Sequence, residues 1–399
     1  MARRSPACRF RRGETVLVRF WGTRGSIATP GPATNHFGGN TSCVEVVTSR
    51  GNRFIFDCGT GARALGAQLM ASEPKPIHGN ILLGHTHWDH IQGFPFFEPV
   101  FMRGNRFTVC GPQGAGRSLA DVLAGQMQYT YFPVELRQLG AQIEYREWVE
   151  GEYELDGIRI TTQFLNHPAV TLGYRVEADG VSLVYLCDHE PYWEKLWRSD
   201  AEPGKLESIL HAGDLRYAAF MQDADVVIQD AQYTSEEYPA KKNWGHGTYS
   251  FAVQIAAAAN VKRLFLTHHD PYHDDAFISR IEEKAHEIVA LLGSPMNVSC
   301  AFEGCEECYE REVFSRPISA PSHDPVLEGR LRVLVVNDDE DLRALARESL
   351  IRGGHQVTEA RDGAEALELV DQDTPDLVLL DLNMPPPRRT TGRFSLRVR

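Results

Sequence analysis

No apolar run in this sequence approaches the roughly 20 residues that a membrane-spanning helix needs. The basic stretch Met1–Arg12 lacks a following apolar segment, so it does not read as a secretory signal; a disordered basic leader over residues 1–14 is expected. With neither span nor signal, the expected location is the cytoplasm, with no membrane partner. Positive charge is also short, since 41 Lys and Arg stand against 54 Asp and Glu, a net charge of −13. Proteins that grip long nucleic acid normally present a basic surface. The balance therefore argues against that partner and for a small or singly engaged substrate. Cysteine is sparse and scattered, with 8 in 399 residues. Cys43, Cys58, Cys110 and Cys187 sit in apolar, strand-like stretches, as packing cysteines of a reducing compartment do. Cys305-Glu306-Glu307-Cys308 is a lone C-x-x-C without a nearby His, which fits a surface turn better than a structural zinc.

Against this ordinary background one run stands out, His85-Thr86-His87-Trp88-Asp89-His90, placed behind the apolar stretch Ile81-Leu82-Leu83-Gly84. In an extended segment, positions i and i+2 face the same way, so His85 and His87 can grip one cation. If the chain then turns into a helix, Asp89 and His90 swing towards a second. Nitrogen and carboxylate donors of this kind suit Zn2+ first, with Mn2+ or Fe2+ also compatible.

H-x-H-x-D-H behind a strand is the hallmark of the metallo-β-lactamase superfamily, and the chain resembles that family over about residues 15 to 312. Phe54 to Gly61 resembles the strand whose terminal Asp57 orients the metal loop. Leu165-Asn166-His167-Pro168, Val184-Tyr185-Leu186-Cys187-Asp188 and Leu264-Phe265-Leu266-Thr267-His268 resemble the strands that carry the remaining ligands, in family order. The resemblance implies an α/β fold, a four-layer αββα sandwich. It also implies two divalent cations: His85, His87 and His167 on the first, Asp89, His90 and His268 on the second, and Asp188 bridging them. His246, in Trp244-Gly245-His246-Gly247-Thr248, lies downstream of Val226 to Ala231. That pairing resembles the phosphodiesterase branch, which includes the tRNA 3′-processing endonucleases. It implies that His246 stabilises charge or protonates the leaving oxygen, with Asp230 holding its tautomer; Asp230 stands where the endonucleases carry Glu. Asp89, His246 and Asp230 are the candidate catalytic residues. His189, His269 and His273 read as polar support or surface rather than ligands.

Elsewhere the pattern predicts strands from Val16 to Trp21, Cys43 to Thr48, Gly157 to Phe164 and Gly173 to Glu177, and helices over Ser118–Met127, Phe251–Ala259 capped by Ser250, and Ala276–Leu292. The glycine turns Gly22 to Ser26 and Gly38 to Asn40 can form hairpins or present N–H groups to a phosphate. The aromatic segments Phe94–Phe101 and Tyr129–Pro133 can wall the site and stack a base, or pack into the core.

A hydrolase domain is expected over residues 15–315, then a linker over 316–329 with prolines at 317, 321 and 325. Residues 330–387 resemble a truncated response-regulator receiver, a partial βα segment. Leu331 to Val336 and Asp376 to Asp381 read as its strands, with a third from about Gln356. Asp338 and Asp381 match its metal-holding and phosphoacceptor positions, with Asn337 where the first acidic residue is usual. The hydroxyl and Lys partners of the phosphoacceptor are missing, so the segment is expected to be inactive. The basic tail, residues 388–399 with five Arg, reads as a truncation or frame error, or as a degenerate docking segment.

The expected function is that of a dinuclear hydrolase, a phosphodiesterase acting on cyclic or small nucleotides or another compact phosphodiester through a hydroxide held between the metals. The alternatives are a hydrolase of carbonyl substrates (lactone, thioester or β-lactam) and a signalling output module with little catalysis. A homodimer is compatible with the sequence.

Overall fold

The computed structural model describes residues 15–310 and 331–380, apart from positions 115, 194, 199–200, 202, 338–342, 344–345, 348–349, 352–353 and 373. The leader, the linker, the basic tail, Asp338 and Asp381 lie outside the described residues. The chain divides into two compact units, Met1–Val313 and Phe314–Arg399.

Alternation of apolar side chains builds the first unit. Strands β1 (Thr15–Gly22), β2 (Cys43–Val47), β3 (Arg53–Phe56), β4 (His78–Leu82), β5 (Arg106–Pro112) and β6 (Gln142–Trp148) lie in one sheet. Strands β7 (Gly151–Leu155), β8 (Ile158–Phe164), β9 (Leu172–Ala178), β10 (Val181–Leu186), β11 (Val226–Asp230), β12 (Arg263–Thr267) and β13 (Asn297–Cys300) lie in another. A last strand, β14 (Glu306–Glu310), returns to the edge of the first sheet. The orders are β14-β1-β2-β3-β4-β5-β6 and β13-β12-β11-β10-β9-β8-β7.

Period-two patterning sorts the first sheet into two faces. Phe54, Phe56, Leu82 and Cys110 join the second sheet in one core, while Ile55, Ile81 and Val109 join the core on the outer side. Helices α1 (Ala62–Ser72) and α3 (Leu119–Gln126) cover that outer face. Between them in sequence lies the short α2 (Trp88–Ile91). Helices α4 (Ala212–Phe220), α5 (Tyr249–Ala258) and α6 (Asp275–Leu291) pack on the second sheet. The result is the expected αββα sandwich. Aromatic pairs lock the two sheets face to face, with Phe56 against Tyr185 at 5.0 Å and Phe20 against Phe265 at 4.8 Å between ring centroids.

Strand direction places the chemistry. β3 and β4 run parallel, as do β10, β11 and β12. β8 is antiparallel to β9, which is antiparallel to β10, so β8 points the same way as β10. The carboxyl ends of these strands gather at one rim, where open α/β sheets commonly bind ligands.

Several local expectations need correction. α5 is capped by Thr248, not Ser250: Thr248 is extended and its hydroxyl accepts from Phe251 N. The Cys305–Cys308 pair is not a surface turn but runs into edge strand β14, with Cys305 buried. In the glycine turns most N–H groups are already engaged within the protein, which favours the hairpin reading over a phosphate cradle. Thr23 N and Arg24 N donate to Asn40 O, Gly25 N to His269 O, Ser26 N to Asp89 and Asn40 N to Glu303. Phe94 and Phe97 are core residues, and Phe132 packs edge-on to Phe96.

In the second unit, β15 (Arg332–Val336), β16 (Gln356–Ala360) and β17 (Leu377–Leu380) form a parallel sheet ordered β16-β15-β17. The helix Gly363–Gln372 follows β16, and Ala366 packs with Leu334 and Val336.

The Thr248 cap fixes the start of α5 two positions after His246. Thr248→Ala is expected to cost about 1 kcal/mol of stability, and Thr248→Ser much less, in denaturant unfolding. Equal stability of Thr248→Ala and the wild type would show that the cap is not holding the helix.

Candidate dinuclear metal centre

His85 lies just beyond β4, where an extended segment meets α2. His87 is the N-cap of α2, Asp89 sits in its first turn and His90 follows. An acidic residue in a first helical turn is electrostatically favoured. His167 follows β8, Asp188 follows β10, Asp230 ends β11 and His268 follows β12. Topology thus delivers donors from both sheets to one rim.

They meet there in overlapping groups that share a carboxylate. Donor atoms of His85, His87, His167 and Asp188 all lie within 4.8 Å of one another, as do those of Asp89, His90, Asp188 and His268; Asp188, Asp230, His246 and His268 make a third such group. Asp188 sits between the first two groups. Its Oδ2 is 3.4 Å from His85 Nε2, and its Oδ1 is 3.3 Å from His90 Nε2 and 3.2 Å from His268 Nε2. His167 Nε2 and His87 Nδ1 are 3.2 Å apart.

The unmet polar capacity of this rim fits cations. His85 is fully buried, yet neither of its ring nitrogens makes a well-aligned hydrogen bond, and His90 Nε2 and Asp188 Oδ1, though close to each other, make none either. Buried polar atoms are rarely left so, because desolvation without a partner costs about 1–3 kcal/mol each. Nitrogen and carboxylate donors converging in this way match divalent-metal chemistry.

Charge follows the same geometry. Burial holds His85 well below the usual imidazole range, and it lowers His87 and brings His167 to about 4. The other two imidazoles go the opposite way. Burial opposes their charge, but Asp188 and Asp89 raise His90 well above its ordinary value and His268 to about 9. Against the same burial, those imidazoles hold the Asp89 and Asp188 carboxyls below their usual range.

Outer contacts aim the donors. Asp57 accepts from Gly84 N at 2.7 Å and from Tyr185 OH at 2.6 Å, and it pairs with His90 Nδ1 at 2.7 Å. Gln232 Oε1 faces His268 Nδ1 at 3.0 Å, and Gly245 O faces His167 Nδ1 at 2.9 Å. Such bonds turn the opposite ring nitrogen inwards. Ser26 N donates to Asp89 at 2.7 Å. Ser26, Asp57 and His268 all have positive φ, at 62°, 56° and 61°, a region that non-glycine residues seldom occupy. Gly25 is required by proximity, since a Cβ there would lie 2.3 Å from the His268 ring.

His246 stands beside this centre, with Nδ1 2.9 Å from Asp230 Oδ2 and 4.0 Å from Asp188 Oδ2. Asp230 also accepts from the main chains of His189 and Gln232. A cavity of about 450 Å³ opens here, lined by Ser26, Thr86, His87, Trp88, Asp89, Asp188 and His246. Trp88 is 77% exposed at its edge.

All the sequence-marked ligands, with His246 and Asp230, are therefore brought together. Tyr129 and Tyr131 do not line this cavity and are exposed. His189, His269 and His273 are buried rather than superficial. His189 stacks on Tyr217 at 3.7 Å, His269 pairs with Ala301 O and His273 with Glu237. Ser26, Gln232 and Tyr185 were not singled out from sequence. Only the Asp230-Ala231-Gln232 spacing, which returns Gln232 to the side of Asp230, offered a signal.

Comparison with known proteins gives a consistent picture. The beta-lactamase superfamily domain matches residues 52–269, a stretch that contains all of these donors. The response regulator receiver domain matches residues 333–389. The chain is 27% identical over 284 residues to the Ribonuclease Z of Bacillus thuringiensis (strain Al Hakam), covering 62% of this chain and 88% of that one. The Ribonuclease Z of Bacillus anthracis matches with the same figures, 27% over 284 residues, 62% and 88%. Among solved structures, the metallo-beta-lactamase fold protein YhfI from Bacillus subtilis aligns with a TM-score of 0.51 at 17% identity, over 74% of this chain and all of that one, a likeness of fold.

Metal analysis of the purified protein is expected to return close to two equivalents, and Asp188→Ala to lose most of both, because both groups use that carboxylate. Retention of one full equivalent in the variant would show that Asp188 serves only one group. Loading should also depend on pH. Asp188 and Asp89 raise His90 well above its ordinary value and His268 to about 9, so Zn2+ binding near neutrality is expected to displace a proton from each. Apparent affinity should rise about tenfold per pH unit for each proton displaced, until the pH passes that value. Calorimetry in buffers of different ionisation heat would show the released protons; an affinity independent of pH would rule out a charged His90 and His268.

Proposed function

This chain belongs to the beta-lactamase superfamily, and from that premise we propose that it is a dinuclear metal-dependent phosphodiesterase acting on a small or cyclic nucleotide, or another compact phosphodiester. The proposed ligands are His85, His87 and His167 on one ion, Asp89, His90 and His268 on the other, and Asp188 between them. Zinc suits this donor set best, and two such cations, when bound, supply a water of lowered pKa and neutralise phosphoryl charge.

The observation that carries the reading is the His246–Asp230 pair beside Asp188. A phosphodiester leaves an alkoxide that needs a proton, whereas activated carbonyl substrates place less demand on an acid. Asp230 engages Nδ1 of His246, which leaves Nε2 as the nitrogen available to a substrate in the cavity that His246 lines. An imidazolium so oriented donates its proton to the departing oxygen. It also places positive charge where negative charge grows. Asp230 is itself held by two backbone N–H groups, so the pair has little freedom to swing away. Trp88 offers a flat apolar face at the cavity edge, suited to a base.

The relatives named Ribonuclease Z support a phosphodiester within RNA chemistry. The net charge of −13 favours the compact end of that class.

His246→Ala is expected to keep its metals and lose about 10²–10⁴ in kcat on a phosphodiester with an unactivated alkoxide leaving group, and less on bis-p-nitrophenyl phosphate, whose phenolate departs without a proton. Cyclic and linear nucleotides, a tRNA precursor and nitrocefin complete the assay panel. Wild-type turnover by His246→Ala would remove the main support for a phosphodiesterase. Preference for the tRNA precursor would replace the small-substrate reading with an RNA one, and preference for nitrocefin would replace it with carbonyl hydrolysis.

A further inference from the structure

Glu190 follows the bridging Asp188 by two positions and is buried. Its main chain is tied to the residue before His167: Glu190 N donates to Asn166 O at 2.8 Å, and Asn166 Nδ2 donates to Glu190 O at 2.8 Å. Its carboxylate reaches the other way, towards the turn that carries His246. Oε1 accepts from Tyr238 OH at 2.9 Å and from Asn243 N at 2.8 Å, while Oε2 accepts from Gly245 N at 2.8 Å.

That turn is not one the backbone adopts freely. Asn243 and Gly245 both have positive φ, at 66° and 86°. Backbone N–H groups presented in this manner form a concavity for an anion, and here the anion is a side chain of the protein. The same Gly245 turns its carbonyl to His167 Nδ1, and a Cβ on it would lie 2.1 Å from that nitrogen. A shift of the turn therefore moves His246 and loosens His167 together.

We propose that Glu190 is a positioning residue of the site, holding the turn at residues 243–246 so that His246 and His167 are set in register with Asp188. The inference rests on the reading of His246 as the acid. It assigns the carboxylate a role that a generic buried polar residue would not have: an effect through His167 shows as lost metal, and among fully loaded variants its removal should matter only while His246 is there to be positioned.

A double-mutant cycle on the full-length, Zn2+-loaded protein tests this, with a 3′,5′-cyclic nucleotide, whose leaving alkoxide needs a proton, as substrate and metal content verified for each variant. Glu190→Ala is expected to lower kcat by about 10- to 100-fold, the scale of a small misplacement of a catalytic group, with KM within about threefold. Glu190→Gln keeps the shape but sets an amide against one N–H donor, so its loss should be intermediate. The double variant Glu190→Ala, His246→Ala should be no slower than His246→Ala alone. A purely structural role would instead multiply the two losses, and that result would overturn the proposal. So would a loss confined to KM, or wild-type kcat in Glu190→Ala. If Glu190→Ala does not fold, the isosteric Gln variant carries the same cycle with the same criteria. A harmless His246→Ala would sink the phosphodiesterase reading, whereas a damaging His246→Ala beside a harmless Glu190 substitution sinks this inference alone.

Discussion

The Asp57 carboxylate is the constraint on which the rim depends. It is fully buried, and three donors meet it: Gly84 N from the segment entering the metal loop, the ring of His90, and Tyr185 OH from the opposite sheet. A buried charge is tolerated only when its lone pairs are met by good donors, and breaking such an arrangement commonly costs about 3–5 kcal/mol. Asp57 thus joins the two halves of the sandwich at the point where the donors must converge. The Phe56–Tyr185 ring contact beneath it bridges the same two strands, so apolar packing and the polar tie reinforce one another. The remaining contacts at the centre are refinements of a spacing that this group sets.

Much of this was legible in the sequence because the ligands follow a physical rule that leaves a local mark. Each sits just past an apolar strand, and parallel strands bring their carboxyl ends to one side. The motif from His85 to His90 adds a change of period, from extended to helical, within a few residues. The supporting contacts leave no such mark. Ser26 acts through its backbone N–H, so its side chain carries no information about the role. Gln232 and Glu190 are ordinary polar residues whose partners lie far away in sequence, and only the folded chain shows what they hold. The glycine turns misled for a related reason. Their composition permits an anion cradle, but whether the N–H groups are free depends on Asn40, Asp89 and Glu303, which reach them through tertiary contacts. The α5 cap shows a finer limit. Thr248 and Ser250 both offer a hydroxyl, and the extended backbone at Thr248 decides between them.

The second unit was read from two apolar runs, a third strand placed at about Gln356 and a resemblance to the receiver family, and its three parallel strands fall at those positions. Leu377 to Leu380 are all exposed along β17, an edge of that sheet. A parallel sheet is ordinarily covered on both faces, so this strand departs from the usual receiver arrangement within the described residues.

The left-handed backbone at Asp57 and His268 has a consequence for how such a protein can change. At each position two demands conflict. The backbone conformation is easiest for glycine, while the chemistry requires a side chain that glycine lacks. Relief of the conformational preference and retention of the donor cannot be obtained together, and the tolerated residues shrink to the few short polar or imidazole types that visit this region at all. Selection for a more robust fold would therefore drift towards an inert scaffold at these positions, while selection for turnover keeps them uncomfortable. At these two positions of the rim the protein has little room to vary.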